Sequence, residues 1–110
     1  MQRLLEIRLY ALSAGSGPRF HQLVSQQSLP LLREWGMDVV AFGLSVSDPD
    51  SYFLMRAFDN LEHLTSSQDA FYASEAWRKG PREAIIGLIK SDLSSVLQLN
   101  VETIDAMRRR

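Results

Sequence analysis

Along Leu5-Glu6-Ile7-Arg8-Leu9-Tyr10-Ala11-Leu12 apolar and polar positions alternate without a break. Leu5, Ile7, Leu9 and Ala11 fall on one face, with Glu6, Arg8 and Tyr10 on the other. This is the period-two pattern of a strand, and it predicts a first strand over Leu4–Leu12. The strand ends at Ser13-Ala14-Gly15-Ser16-Gly17. Pro18 then suits the first turn of a helix, where its missing N–H is no loss. Over Pro18–Trp35, the positions Phe20, Leu23, Val24, Gln27, Leu31 and Trp35 share one helical face. Pro30 removes a backbone hydrogen bond and predicts a kink near Gln26–Pro30. Leu29 projects from the far side and Leu32 from the flank, so both need further cover.

Gly36 stops the helix, and a second strand is expected over Asp38–Val46. Ser47-Asp48-Pro49-Asp50-Ser51 is a turn, and Tyr52–Phe58 completes a hairpin. Asp59 followed by Glu62 has the spacing of a capping box and opens a short helix to about Tyr72. Ser74 caps a second stretch in which Trp77, Pro81, Ala84, Ile85 and Leu88 line one side. A fourth strand is expected over Ser94–Leu99, with Asn100–Arg110 as a tail outside a single domain of residues 1–99. The order β-α-β-β-α-β predicts an α+β, ferredoxin-like fold with helices on one face of a four-stranded antiparallel sheet.

The other face is expected to hold Leu4, Tyr10, Leu12, Tyr52, Leu54 and Phe58. An apolar patch of that size calls for cover, and the economical cover is a second copy packed sheet to sheet, closing a barrel. The second strand leaves its faces open. With Val40, Phe42, Leu44 and Val46 toward the helices, small Val39, Ala41, Gly43 and Ser45 leave room for a ligand. The reverse assignment fills the barrel with large side chains.

At 110 residues, with 45% hydrophobic and 23% charged side chains, the chain has the composition of one globular domain. Twelve basic against thirteen acidic residues give no bulk attraction to nucleic acid or membrane. No run approaches the roughly 18–20 apolar residues that span a bilayer. The chain has no cysteine, which removes disulfides and thiolate chemistry and fits a cytoplasmic location.

Several stretches, in order, carry a family resemblance. They are Leu5–Leu12, the Gly17-Pro18 entry to a helix with Leu29-Pro30-Leu31-Leu32, and Leu54-Met55-Arg56-Ala57-Phe58-Asp59-Asn60-Leu61. Phe71-Tyr72-Ala73-Ser74-Glu75-Ala76-Trp77, leading to Gly80-Pro81-Arg82-Glu83-Ala84, completes the set. Over Leu4 to Leu99 the sequence resembles the NIPSNAP family. The resemblance implies the dimeric α+β barrel fold, shared with small cofactor-free monooxygenases and muconolactone-isomerase-like proteins. It implies no reaction, since one fold hosts many chemistries.

The candidate chemistry is sparse. Gly15-Ser16-Gly17-Pro18-Arg19-Phe20 has Phe20 where a dinucleotide loop needs its third glycine, and reads as a turn. His21 and His63 have no positioned carboxylate partner, so no metal site is expected. Trp35 and Trp77 sit on apolar helix faces and read as core, whereas Phe71 and Tyr72 lie at a corner that can rim a cavity. Arg108-Arg109-Arg110 reads as a solvated tail, a poor nucleic-acid footprint beside Glu102 and Asp105.

Glu6, Arg8, Tyr10 and Arg56 are the leading candidates. They either reach water at strand ends or line the barrel interior, where charge must be neutralised by a partner or ligand. With the first and third strands adjacent, Glu6 pairs with Arg56 and Arg8 is left for an anionic group. Tyr52, Phe58 and His21 extend the candidate pocket. The expected function is a homodimeric barrel binding a small hydrophobic or acidic molecule, with no metal or organic cofactor. Cofactor-independent oxygenation or isomerisation and a non-catalytic protein-interaction module are the alternatives.

Overall fold

The computed structural model describes residues 1–108. Its elements run β1 (Gln2–Leu12), α1 (Gly17–Leu23), α2 (Leu29–Glu34), β2 (Asp38–Leu44), β3 (Ser51–Phe58), α3 (Leu61–Ala73), α4 (Glu75–Arg78), α5 (Arg82–Ile86), β4 (Ile89–Asn100) and α6 (Val101–Met107). The strands form one antiparallel sheet in the order β2-β3-β1-β4. The fold is α+β, with the two central strands where a ferredoxin-like topology puts them.

Local chemistry explains most boundaries. Asn60 caps α3 by accepting from the His63 backbone N–H at 2.8 Å, so the helix starts one residue beyond the expected Asp59. Ser74 caps α4 through Trp77 N–H at 3.3 Å, as its sequence position suggests. Gly36, at φ +90°, ends the first helical run in a conformation that side chains resist. In the β2–β3 turn the Asp48 carboxylate accepts from Asp50 N–H at 2.9 Å and from the Ser51 hydroxyl at 3.0 Å.

The expected kink is a π-helical turn over Val24–Ser28, which joins α1 to α2 and in which Leu29 N–H donates to the Val24 carbonyl. The wider turn accommodates Pro30 and shifts the helical phase by one residue. Phe20, Leu23 and Val24 are buried as expected, but Ser28, Leu29 and Leu32 follow them inward while Gln27 and Trp35 are exposed. Leu29 and Leu32 are therefore covered within one chain, and neither supplies a motive for a second copy.

The two sheet faces are the reverse of the expectation. Leu12, Tyr52 and Leu54 pack beneath the helices with Phe20, Leu23, Leu32, Phe71 and Trp77. The registers Glu6↔Arg56, Arg8↔Leu54 and Tyr10↔Tyr52 put those residues on the same, helix-covered side. This side of β1 and β3 carries Tyr10, Leu12, Tyr52 and Leu54, which pack into the helix-to-sheet layer, while Leu5, Ile7, Leu9, Phe53 and Met55 take the other side with Ala11, Ser51 and Ala57.

On the bare side Ile7, Met55 and Phe53 are half-buried, and Leu9 and Leu93 are 50% and 74% exposed. Leu9, Phe53, Met55 and Leu93, together with Ala11, Ser45 and Ser91, line an open concavity of about 570 Å³. Strand β2 belongs to both sides. A register shift between Val39 and Ala41 lets Val39, Phe42 and Leu44 pack under the helices while Val40 and Ala41 join the other side.

The segment expected to trail as a tail forms α6. Ile104, 1% exposed, packs there with Leu5, Val40 and Ala57 at one end of the otherwise bare side. Arg108 is not simply solvated: it grips Asp38 with two bonds, at 2.6 and 2.8 Å, and Arg3 adds a third at 2.8 Å. Arg109 and Arg110 lie outside the described residues. Among the described residues no helix is long and apolar enough to cross a membrane.

Candidate functional site: a charged cluster and cavity between helices and sheet

Strands β1 and β3 lift Glu6 and Arg56 side by side into the helix-covered layer, where both are buried, at 2% and 0% exposure. Arg56 Nε donates to Glu6 Oε1 at 2.9 Å, and Arg56 Nη2 lies 2.8 Å from the same oxygen. Gln68, reaching down from α3, donates from Nε2 to Glu6 Oε2 at 2.8 Å. Arg8 Nη2 lies 3.4 Å from Glu6 Oε2 and donates to Gln68 Oε1 at 3.3 Å. Tyr72, one turn further along α3, accepts from Arg56 Nη1 at 3.0 Å, and its ring lies within 6 Å of both guanidinium carbons. Two arginines thus share one carboxylate, and the cluster keeps one net positive charge.

Arg8 is the member with capacity to spare. Its Nε is buried and has no hydrogen-bond partner among the described residues. It lines a cavity of about 100 Å³ between sheet and helices, walled by Phe20, Val24, Leu32, Leu54, Trp77 and Ile85. Tyr10, Tyr52, Tyr72, Ser28 and Asp92 bring polar atoms to the same wall. Burial pushes the Tyr10 phenol up to about 12, with Tyr72 adding to the shift and the neighbouring Arg8 guanidinium opposing it. Burial, and then Tyr10, push the Tyr52 phenol upward as well. Both are neutral hydroxyls across the physiological range. His21 Nδ1 lies 2.7 Å from the Tyr52 hydroxyl, tying the cavity wall to the half-buried edge of α1.

The nine candidates from the sequence separate accordingly. Arg8, Tyr10, Tyr52 and Tyr72 line the cavity, and His21 touches it through Tyr52. Glu6 and Arg56 stand behind it, outside the lining: they pair with each other and bond Gln68 and Tyr72, and Arg56 Nη2, which has no hydrogen-bond partner among the described residues, lies against Glu6 Oε1. Phe71 is buried behind Tyr72 and Trp77, at ring separations of 5.1 and 5.6 Å. Phe58 packs edge-on against His63 at 5.5 Å, outside the cavity lining. Gln68, Ser28 and Asp92 were not singled out. Gln68 carried one usable signal, since a glutamine four residues before Tyr72 lies on the same face of α3. Trp77, read as core, is both core and cavity wall.

No protein-family model matches the sequence, nor does any curated protein. Solved structures do match. A NIPSNAP domain protein from Burkholderia xenovorans superposes with a TM-score of 0.80 at 19% identity, over 89% of this chain and 95% of that one. A NIPSNAP family protein of unknown function from Agrobacterium tumefaciens gives 0.81, again at 19% identity, over 88% and 87%. The fold is that of NIPSNAP proteins. A putative monooxygenase from Lactobacillus acidophilus is more distant, at a TM-score of 0.68 and 12% identity, over 87% of this chain but 44% of that one. At these identities the likeness establishes the NIPSNAP-type fold and leaves the chemistry to the site.

Proposed function

We propose that this NIPSNAP-like chain is a cytoplasmic, homodimeric small-molecule-binding protein that holds a small acidic or carbonyl-bearing ligand between sheet and helices. The observation that carries the reading is Arg8 Nε, a cationic donor buried without a hydrogen-bond partner among the described residues, on a side chain that lines the cavity. A buried polar group left unpaired costs free energy that a ligand oxygen recovers. The net charge of the cluster sets the sign of that ligand. Asp92, the acidic group on the lining, is exposed, so water screens its charge far more than that of Arg8. The barrel belongs to the same reading: Leu9, Phe53, Met55 and Leu93 on the bare side are the surface a second copy would cover.

Cofactor-independent oxygenation or isomerisation is the second reading. It uses the same cavity, and two neutral phenols on its wall favour it, since positioned hydroxyls stabilise developing negative charge.

Calorimetric titration with propionate tests the binding reading. The wild type is expected to take up one equivalent per chain. Arg8→Met, with its fold checked by circular dichroism, is expected to bind about 10- to 150-fold more weakly, as the loss of a charged hydrogen bond implies. Equal uptake by the two proteins would refute the assignment.

A further inference from the structure

Arg8 is one polar contact on the cavity wall. Tyr52 is another: it is 1% exposed, lines the cavity, and has its hydroxyl 2.7 Å from His21 Nδ1. The two residues lie on adjacent strands. Arg8 faces Leu54 and Tyr10 faces Tyr52 across β1 and β3, so Arg8 and Tyr52 are diagonal neighbours on one side of the sheet. Such neighbours have Cα atoms roughly 7–8 Å apart, within reach of long side chains.

Their side chains lean toward different helices. Arg8 goes to Gln68 and Tyr72 on α3, and Tyr52 to His21 on α1. The gap between those anchors is the cavity. Its volume of about 100 Å³ is below the roughly 150 Å³ of a cavity known to admit benzene. A carboxylate with a short carbon skeleton fits that space. A drug-sized or polycyclic molecule does not.

We propose that Tyr52 is a specificity-determining residue for the ligand held by Arg8, and that the ligand class is a short-chain carboxylate bearing a second oxygen, a 2-oxo or 2-hydroxy acid. This rests on the binding reading above and adds to it the second contact and the residue that positions it. In the tautomer that carries its proton on Nδ1, His21 donates to Tyr52 Oη and leaves the phenol proton free for the ligand's second oxygen, while Arg8 holds the carboxylate. His21 is a positioning residue, since it acts through Tyr52. The aromatic packing of Phe20 against Tyr52, at 5.0 Å between centroids and near-perpendicular, and of Tyr10 against Phe20, at 5.6 Å, keeps the phenol from swinging away.

The experiment compares calorimetric affinities for propionate and pyruvate, which differ by the 2-oxo oxygen. The wild type is expected to favour pyruvate about five- to tenfold, the range of one neutral hydrogen bond. In Tyr52→Phe the pyruvate-to-propionate affinity ratio is expected to fall to about one. His21→Leu loses the preference, and His21→Asn, which keeps an amide donor near the Nδ1 position, restores most of it. A merely structural role for His21 would weaken both acids together and leave their ratio alone. If Tyr52→Phe does not fold, the two His21 variants decide the matter. A wild type that binds both acids equally, or a ratio that survives Tyr52→Phe and His21→Leu, overturns the assignment of Tyr52 and leaves that of Arg8 standing. A wild type that binds neither acid overturns both.

Discussion

Replacing Glu6 with glutamine takes the single anion out of a layer that holds two guanidinium groups. Glu6 is 2% exposed and Arg56 fully buried, and the carboxylate receives Arg56 at 2.8–2.9 Å and Gln68 at 2.8 Å. Removing one partner of a buried pair typically costs about 3–5 kcal/mol, because the other charge is left uncompensated. Glu6→Gln belongs at the upper end, since it leaves Arg56 buried beside a second cation, Arg8. Arg56→Met belongs near the lower end, at about 3 kcal/mol, because Arg8 already lies 3.4 Å from the orphaned carboxylate and can neutralise it.

The asymmetry is the sharp part. At about 4 °C per kcal/mol for a chain of this size, Arg56→Met is expected to lower Tm by about 12 °C and Glu6→Gln by more. The double variant carries neither member of the pair and should recover at least about 1.5 kcal/mol relative to the sum of the singles. Urea denaturation followed by circular dichroism measures all three, at one fixed protein concentration, and with unchanged m-values as the check on compactness. Singles that each cost under about 1 kcal/mol would show a solvated, replaceable pair. An Arg56→Met more damaging than Glu6→Gln would show that Arg8 does not back up the carboxylate.

Two further outcomes follow from the other face of the sheet. Asp38 sits below the ordinary carboxylate range, chiefly through its bonds from Arg108 with Arg3 adding to them, while burial opposes. A carboxyl depressed in the folded state contributes stability that is full above its unfolded value of about 4 and is lost as pH falls through the folded one. Amide protection factors over residues 101–107, corrected for intrinsic exchange, should therefore be high at neutral pH and fall below about pH 4, and Asp38→Asn should show low protection at pH 7; pH-independent protection in the wild type refutes the clamp. On the bare sheet, light scattering should give twice the 12.5 kDa chain mass for the wild type and a folded monomer for Leu9→Glu, and a monomeric wild type at micromolar concentration would remove the barrel.

How far the fold was legible depends on which interactions local pattern encodes. The strand-helix order, the Asp48-Pro49 turn, the Ser74 cap and the pairing of Glu6 with Arg56 all follow from residues near in sequence or from antiparallel adjacency. The face of β1 does not. Alternation says that Leu5, Ile7, Leu9 and Ala11 share a side, and hydropathy assigns that side to the core under the helices. Yet Glu6, Arg8 and Arg56 lie there instead, because α3 supplies Gln68 and Tyr72 from more than sixty residues beyond Glu6 to satisfy them. A charge that finds its partners only after the chain has folded back looks, in one dimension, like a surface charge. The same blindness affects β4, whose expected start at Ser94 moves back to Ile89: Lys90-Ser91-Asp92 is exposed, and its strand character comes from pairing with the β1 edge. Likewise the π turn, one residue too many for an α-helix, rotates everything after it and exchanges Gln27 for Ser28 at the core. Ser28 on the cavity wall is the product of that rotation, which carries it from the flank of the helical face to the buried side.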